Sequence, residues 1–385
     1  MVVLKTEYNG GILVKSLKIY SFFSGAGFLD LGFEKSGFSI DYVNEYSKSF
    51  LEVYKYARRN MNLKEPKYGY YCGNINDLLK GDEKKKLMER INSKREKELI
   101  GFIGGPPCPD FSVAGKNKGI AGENGKLTTS YKRMILLYEP DFFVFENVKG
   151  LWSTKKHREE YEKIKKSFSR KGYVFVDKLV NSLEYGVPQE RERIILFGIK
   201  YKCLNADKLF AKKILNTNFN WGENPKYALS IINNLQWPTV SEFWVDKKTE
   251  CPNNIIKELT IEYWFDKNDV YNHKNANDYF LPRSLERFNT IMEGDVSKKS
   301  FKRLHRWRYS PTVAYGNNEV HLHPYKARRL SVAEALAIQS LPKEFILPKN
   351  LSKSEMFKTI GNGVPFLMAN KIAHEIKIFL NNNVR

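Results

Sequence analysis

Cysteine is scarce in this chain of 385 residues: Cys72, Cys108, Cys203 and Cys251 lie far apart and form no C-x-x-C pair. That spacing argues against a disulfide framework and a zinc site, and fits a reducing compartment. No run of about 18 apolar residues occurs, so no membrane-spanning helix is expected. The first residues, Met1 to Glu7, lack the pattern of a signal peptide, and the expectation is a cytoplasmic protein with no membrane partner. Acidic residues are in deficit, 43 Asp and Glu against 64 Lys and Arg, a formal net charge of +21. Such an imbalance attracts a polyanion, nucleic acid being the usual one; a generally Lys-, Asn- and Ile-rich soluble protein also fits. Internal repeats and low-complexity tracts are absent.

What is present is a core-forming composition, 42% hydrophobic and 14% aromatic, long enough for one large domain and a smaller one. The most informative stretch is Gly104-Gly105-Pro106-Pro107-Cys108-Pro109-Asp110-Phe111-Ser112. The apolar run Leu99 to Ile103 reads as a buried strand that feeds it. The glycines and prolines then force a stiff turn, with one thiol at the exit. In an open α/β sheet, ligands bind beyond the carboxyl ends of the strands. Most free cysteines are simply small buried hydrophobes, so Cys108 taken alone stays open between the two roles.

Strands are expected over Lys18–Phe22, Ser39–Val43, Asp141–Phe145, Val174–Leu179 and Ile194–Ile199, with a further strand ending at Cys72–Ile75. Helices are expected over Leu29–Lys35, Asp82–Glu98, Tyr131–Tyr138 and Tyr161–Lys171. Residues 1–17 could be an edge strand or an arm. The turn Phe23-Ser24-Gly25-Ala26-Gly27-Phe28 joins a strand to a helix, a nucleotide-cradling arrangement without dinucleotide G-x-G-x-x-G spacing. Glu45 is placed to hold ribose hydroxyls or to serve as a helix N-terminal acid, and Tyr46 could lie on an adenine face. The loop from Ala114 to Gly122, with Lys116 and Lys118, is suited to closing over phosphates or is an ordinary surface loop. Glu146 ends an all-apolar strand, a costly place for an idle carboxylate. Arg191 and Arg193 alternate into a strand and share a face; ion pairs with Glu190 or Glu192 would also explain them. Regular alternation fails over 201–327, where tryptophans interleave with Arg303, Arg306 and Arg308. It resumes at a capped helix from Arg329 to Gln339 and a last helix, opened at Ile360-Gly361-Asn362-Gly363-Val364-Pro365, to about Leu380.

Over residues 18–200 and 328–380 the ordered set Gly105-Pro106-Pro107-Cys108, Glu146-Asn147-Val148, Gln189-Glu190-Arg191-Glu192-Arg193 and Gly361-Asn362 resembles the cytosine-C5 DNA methyltransferases of bacterial restriction-modification systems. The resemblance implies an α/β fold, a doubly wound and mostly parallel sheet of the S-adenosylmethionine-dependent type. Residues 1–200 and 328–385 would form the catalytic domain, and 201–327 a smaller, irregular target-recognition domain. It implies S-adenosyl-L-methionine as cofactor, S-adenosyl-L-homocysteine as product and methyl transfer to C5 of a flipped-out cytosine in a short duplex DNA sequence. Cys108 would be the nucleophile and Glu146 would hold N3 and the 4-amino group. Arg193 would bind O2, and Arg191 would support the pocket and nearby phosphates. Phe23, Ser24, Gly25, Ala26, Gly27, Phe28, Glu45, Tyr46, Asn74, Ile75, Pro107, Leu127 and Asn362 would line the cofactor. DNA contacts would come from Ser112, Lys116, Lys118, Arg303, Arg306, Arg308, Tyr315, Asn317 and Asn318. The protein would act as a monomer on double-stranded DNA, paired in function with a cognate restriction endonuclease and needing no metal. Departures from the family pattern are Asn74 where aspartate is usual, Asn124 where arginine often stands, and Pro109 in place of glutamine. A tRNA cytosine-C5 methyltransferase on the same scaffold and a catalytically silent DNA-binding paralogue are the alternatives.

Overall fold

Apolar runs separated by amphipathic stretches build a seven-stranded sheet with helices on both faces. The structure, a computed structural model, describes residues 15–107, 123–282, 284–313, 315 and 320–384. In chain order it contains β1 (Ser16–Phe22), α1 (Phe28–Lys35), β2 (Ser39–Glu45), α2 (Lys48–Asn60), β3 (Tyr70–Cys72), α3 (Gly81–Asn92) and β4 (Glu98–Gly104). There follow α4 (Glu123–Tyr138), β5 (Phe142–Val148), α5 (Gly150–Ser153), α6 (Lys155–Arg170), β6 (Tyr173–Asn181) and β7 (Glu192–Lys200). The later elements are α7 (Lys208–Asn218), α8 (Leu229–Asn234), α9 (Ile261–Lys267), α10 (Glu286–Thr290), β8 (Lys302–Arg303) and β9 (His321–Leu322). The chain closes with α11 (Val332–Ile338), α12 (Lys353–Asn362) and α13 (Phe366–Asn383).

The strand order is β3-β2-β1-β4-β5-β7-β6, parallel except that β7 runs antiparallel to both β5 and β6. The chain winds outward from β1 to β3, then crosses to β4 on the other side of β1. The carboxyl ends of β1 and β4 therefore flank a topological switch point, where such sheets bind ligands. One apolar core lies between the sheet and α1, α7 and α13; the other lies between the sheet and α3, α4 and α6. The two faces explain the strand composition: Phe102 and Ile103 are both fully buried, on opposite sides.

Two expectations shift. The charged stretch Asp82–Glu98 is not one helix. It turns at Asn92 and Glu98 opens β4, while α3 buries Leu87 and Ile91. The span 201–221, assigned from the sequence to the insertion, stays with the sheet: Leu204, Ala211 and Leu215 belong to its core. The Phe219 ring lies 5.1 Å from both Phe197, tilted, and Trp221, edge-on. Apolar spacing in α7 carries this packing, although strand–helix alternation has already stopped. Beyond it, α9, Leu304 and Val313 pack with α11 in a separate cluster.

The C-terminal helix returns to the start of the chain. A Cβ on Gly32 would lie 2.6 Å from the Ala369 Cβ, so only glycine lets α1 and α13 approach this closely. Asn370 Nδ2 donates to Gly32 O at 3.1 Å and fixes the register.

Candidate active site

The turn after β1 is shaped by backbone that few side chains permit. Phe23, Gly25 and Gly27 all have positive φ, at 54°, 57° and 84°. A Cβ on Gly27 would sit against the Tyr54 ring, whereas one on Gly25 would meet no atom of the described residues within 4 Å. The turn is thus closed below and open above. Glu45, at the end of β2, spans it: Gly25 N–H donates to Oε2 and Ser47 N–H to Oε1, each at 2.8 Å. Burial raises the Glu45 carboxyl above its ordinary value, against these bonds. Ser24 N–H donates to Asn44 O, Ala26 and Phe28 are buried, and Tyr46 is 73% exposed.

Behind the turn, Ser21 Oγ and Tyr54 Oη each donate at 2.8 Å to opposite oxygens of Asp30, in the first turn of α1. Burial raises this carboxyl to about 6. The sequence reading missed this group; a lone acid in the first helical turn reads as a dipole partner.

The other wall forms where β4, β5 and β7 meet. Gly104, the last residue of β4, pairs with Phe145, so Gly105 follows the end of β4 beside Glu146, near the end of β5. A Cβ on Gly105 would lie 2.3 Å from Glu146 Oε2. Across the antiparallel pair, Glu146 faces Ile195, and Arg193 is two residues along on the same face. Its Nε stands 3.0 Å from Glu146 Oε1. Burial raises the Glu146 carboxyl and lowers the Arg193 guanidinium, the pairing opposing both shifts. A carboxyl biased toward holding a proton thus sits beside a fixed cation, an arrangement able to grip a neutral polar ring.

Arg191 does something else. Its Nη1 donates to Val313 O and its Nη2 to Gly361 O, both at 2.9 Å, and the side chain is buried. Both Nη groups are thus engaged with main-chain carbonyls, tying Val313 to Gly361. Gly361 is the penultimate residue of α12, which ends at exposed Asn362, and Gly363 packs so tightly on the Phe28 ring that a Cβ there would overlap it. That contact brings Asn362 to the β1 turn. Phe23, Leu127 and Ile75 share one apolar cluster beside it. Asn74 Oδ1 accepts from Asn76 N–H at 2.9 Å, so its carbonyl caps the following turn. Pro107 is exposed.

Cys108, Ser112, Lys116, Lys118, Asn317 and Asn318, with the side chain of Asn124, lie outside the described residues. Two of the expected DNA contacts are corrected. Arg303 is fully buried and donates to the carbonyls of Ile291, His323, Lys326 and Phe288. Arg306 is buried against Glu293 and donates to Lys247 O. Carbonyl-rich loops need internal donors, and these arginines supply them. Arg308 is half-buried, with Nη1 3.4 Å from Pro238 O. Tyr315 packs its ring on Phe357 and His321.

The profile of the C-5 cytosine-specific DNA methylase family matches residues 17–378. The chain is 55% identical over 371 residues to the Type II methyltransferase M.NmeDI of Neisseria meningitidis serogroup C, covering 96% of this chain and 85% of that one. It is 31% identical over 384 residues to the Type II methyltransferase M.FnuDI of Fusobacterium nucleatum, covering 94% of each. A prophage-encoded DNA modification methyltransferase of E. coli superposes with a TM-score of 0.64 at 22% identity, over 95% of this chain and all (100%) of that one. The Spodoptera frugiperda DNMT2 structure gives 0.56 at 16% identity over 95% and 99%. These two share the fold.

Proposed function

We propose a mechanism from one premise: the chain belongs to the C-5 cytosine-specific DNA methylase family and is a DNA (cytosine-5-)-methyltransferase. The methyl donor is S-adenosyl-L-methionine, held at the switch point. The open space above Gly25 fits this group, since a side chain there would fill the cradle. Glu45 takes the ribose hydroxyls, while Phe23, Ile75, Leu127 and Asn362 close around the remainder. When bound, the cofactor supplies an electrophilic methyl group on a sulfonium and leaves as S-adenosyl-L-homocysteine.

The target cytosine leaves the duplex stack at a cost of a few kcal/mol, offset by phosphate contacts to the basic surface and the 113–126 segment. The Cys108 thiolate adds to C6. An ordinary thiol, with a pKa of about 8.5, needs help to ionise. Glu146 donates its proton to N3 as charge develops there, and Arg193 holds O2. This addition would make C5 nucleophilic toward the methyl group that the cofactor would supply. A water molecule then takes the C5 proton, and the electron pair of that C–H bond forms the C5–C6 double bond and expels the Cys108 sulfur as thiolate. The N3 proton returns to the Glu146 carboxylate, restoring the ring.

The observation that carries this reading is the Glu146–Arg193 pair, buried beside the Gly105-Pro106-Pro107 exit of β4. Its relatives are named as Type II methyltransferases, and the biological role is protection of host DNA from a cognate endonuclease in the cytoplasm. Bisulfite sequencing of DNA from cells expressing the wild type and Glu146→Ala tests it. Cytosines protected in one short sequence word by the wild type alone are the expected result. Unmodified DNA beside a modified tRNA cytosine would overturn the DNA assignment.

A further inference from the structure

Three fully packed polar side chains join parts of the protein that meet different ligands. Gln189 and Gln339 are wholly buried and Arg191 nearly so. Val313 N–H donates to Gln189 Oε1 at 3.2 Å, and Gln189 Nε2 donates to Gln339 Oε1 at 3.3 Å. Gln339 Nε2 donates in turn to Ile360 O at 2.7 Å. In parallel, the single Arg191 guanidinium bridges Val313 O and Gly361 O. The segment leading to Val313 is itself laced to the loop before β7: Glu190 N–H donates to Ser310 O, and Ser310 N–H to Pro188 O. One end of this relay is the inserted segment; the other is the end of α12, adjoining Asn362.

Amide and guanidinium groups are rigid planes. Val313 therefore cannot move relative to Ile360 and Gly361 without breaking both connections at once. A broken bond here would leave a buried polar group unpaired, a penalty larger than the bond's net worth. We infer that the Gln189–Gln339 amide relay and the Arg191 guanidinium form a double clasp that couples DNA engagement by the inserted segment to cofactor binding at Asn362. Gln339 is a positioning residue in this scheme: it touches neither ligand. The inference rests on the cofactor site proposed above. Coupling between sites is reciprocal, so cofactor must tighten DNA by the factor by which DNA tightens cofactor.

The test is a binding cycle on the full chain. Affinity for S-adenosylhomocysteine is measured by calorimetry with and without a duplex containing the target word, for wild type and Gln339→Met. Wild type should show at least about 5-fold coupling, the low end of typical allosteric factors. The variant should fall below about 2-fold while each separate affinity stays near wild type. A purely structural role would lower stability or both affinities and leave the factor alone. Should Gln339→Met not fold, hydrogen exchange on the wild type decides: the cofactor product alone should slow exchange in peptides covering 308–313. Unchanged coupling in a folded variant, or unchanged exchange on saturation, overturns the clasp. If no S-adenosylhomocysteine binds wild type, the cofactor site itself falls.

Discussion

Arg193 Nε lies 3.0 Å from Glu146 Oε1, on the same face of two antiparallel strands and beside the exit of β4. The pair joins a carboxyl whose burial favours its proton to a cation that cannot easily leave. Protonated Glu146 is the form that can donate to a base nitrogen. Methyl transfer should therefore decline as pH rises through the raised Glu146 value, while Cys108 ionisation works in the opposite direction. Glu146→Gln should lower the rate by roughly 10²–10⁴-fold, the usual range for losing a general acid. It should also erase the alkaline limb of the pH–rate profile. An alkaline limb unchanged in Glu146→Gln would assign it to another group.

Gly105 is the second constraint on that carboxylate. Gly105→Ala places a Cβ where Glu146 Oε2 stands, and the rest of the chain has no reason to change. Cofactor affinity by calorimetry should stay near wild type and the methylation rate should fall at least about tenfold, roughly 1.4 kcal/mol of barrier. Equal losses in both would show that the turn, and not the carboxylate, was displaced.

Much of this site was legible before the fold. Gly105 to Pro107 follow the end of β4, Glu146 lies near the end of β5 and Arg193 at the start of β7, and strand ends are readable from apolar runs that begin or stop abruptly. The turn at Gly25 and Gly27 was legible for the same reason. Partners of buried polar groups were not. Arg303 and Arg306 sit in an Arg- and Trp-rich stretch that reads as a DNA-facing surface, yet the end of α10 with Ile291 and the segment 323–326 converge on Arg303, and Glu293 and Lys247 O on Arg306. Nothing local in the sequence announces such long-range bonds. Gln189 and Gln339 are hidden likewise, being 150 positions apart.

That distinction is measurable. Arg303→Ala should unfold or destabilise the protein by several kcal/mol, since it removes the donor from the buried carbonyls of Phe288 and His323 and from the part-buried carbonyl of Ile291, a buried acceptor being worth roughly 1–3 kcal/mol when unsatisfied. Arg308→Ala should leave the melting temperature within a few degrees and weaken DNA binding. A stable Arg303→Ala protein with altered target preference would return that arginine to the DNA-reading set.

Asp30 links the cofactor turn to pH. Its folded-state value is about 6 against an ordinary 3.8, so the folded protein holds this proton more tightly than the unfolded chain. The resulting stabilisation is present below about pH 4 and is lost as pH rises through about 6. At about 1.4 kcal/mol per pH unit the whole effect is on the order of 3 kcal/mol. Stability of wild type minus that of Asp30→Asn, from urea titrations at several pH values, should fall over that window and then stay level. A difference that rises with pH would contradict the assignment.

The most direct test of the mechanism concerns the thiol. If Cys108 sulfur attacks C6, the C5 hydrogen must be eliminated before the enzyme can let go, and fluorine at C5 blocks that elimination. A duplex carrying 5-fluorocytosine at the target position should trap a complex that survives denaturing electrophoresis when S-adenosylmethionine is present. Cys72→Ala, Cys203→Ala and Cys251→Ala should trap as wild type does. Cys108→Ala should neither trap nor methylate, yet still bind DNA, because phosphate contacts supply most non-specific affinity. Methylation by Cys108→Ala at a rate near wild type, or an active wild type that forms no trapped complex, would contradict the covalent mechanism.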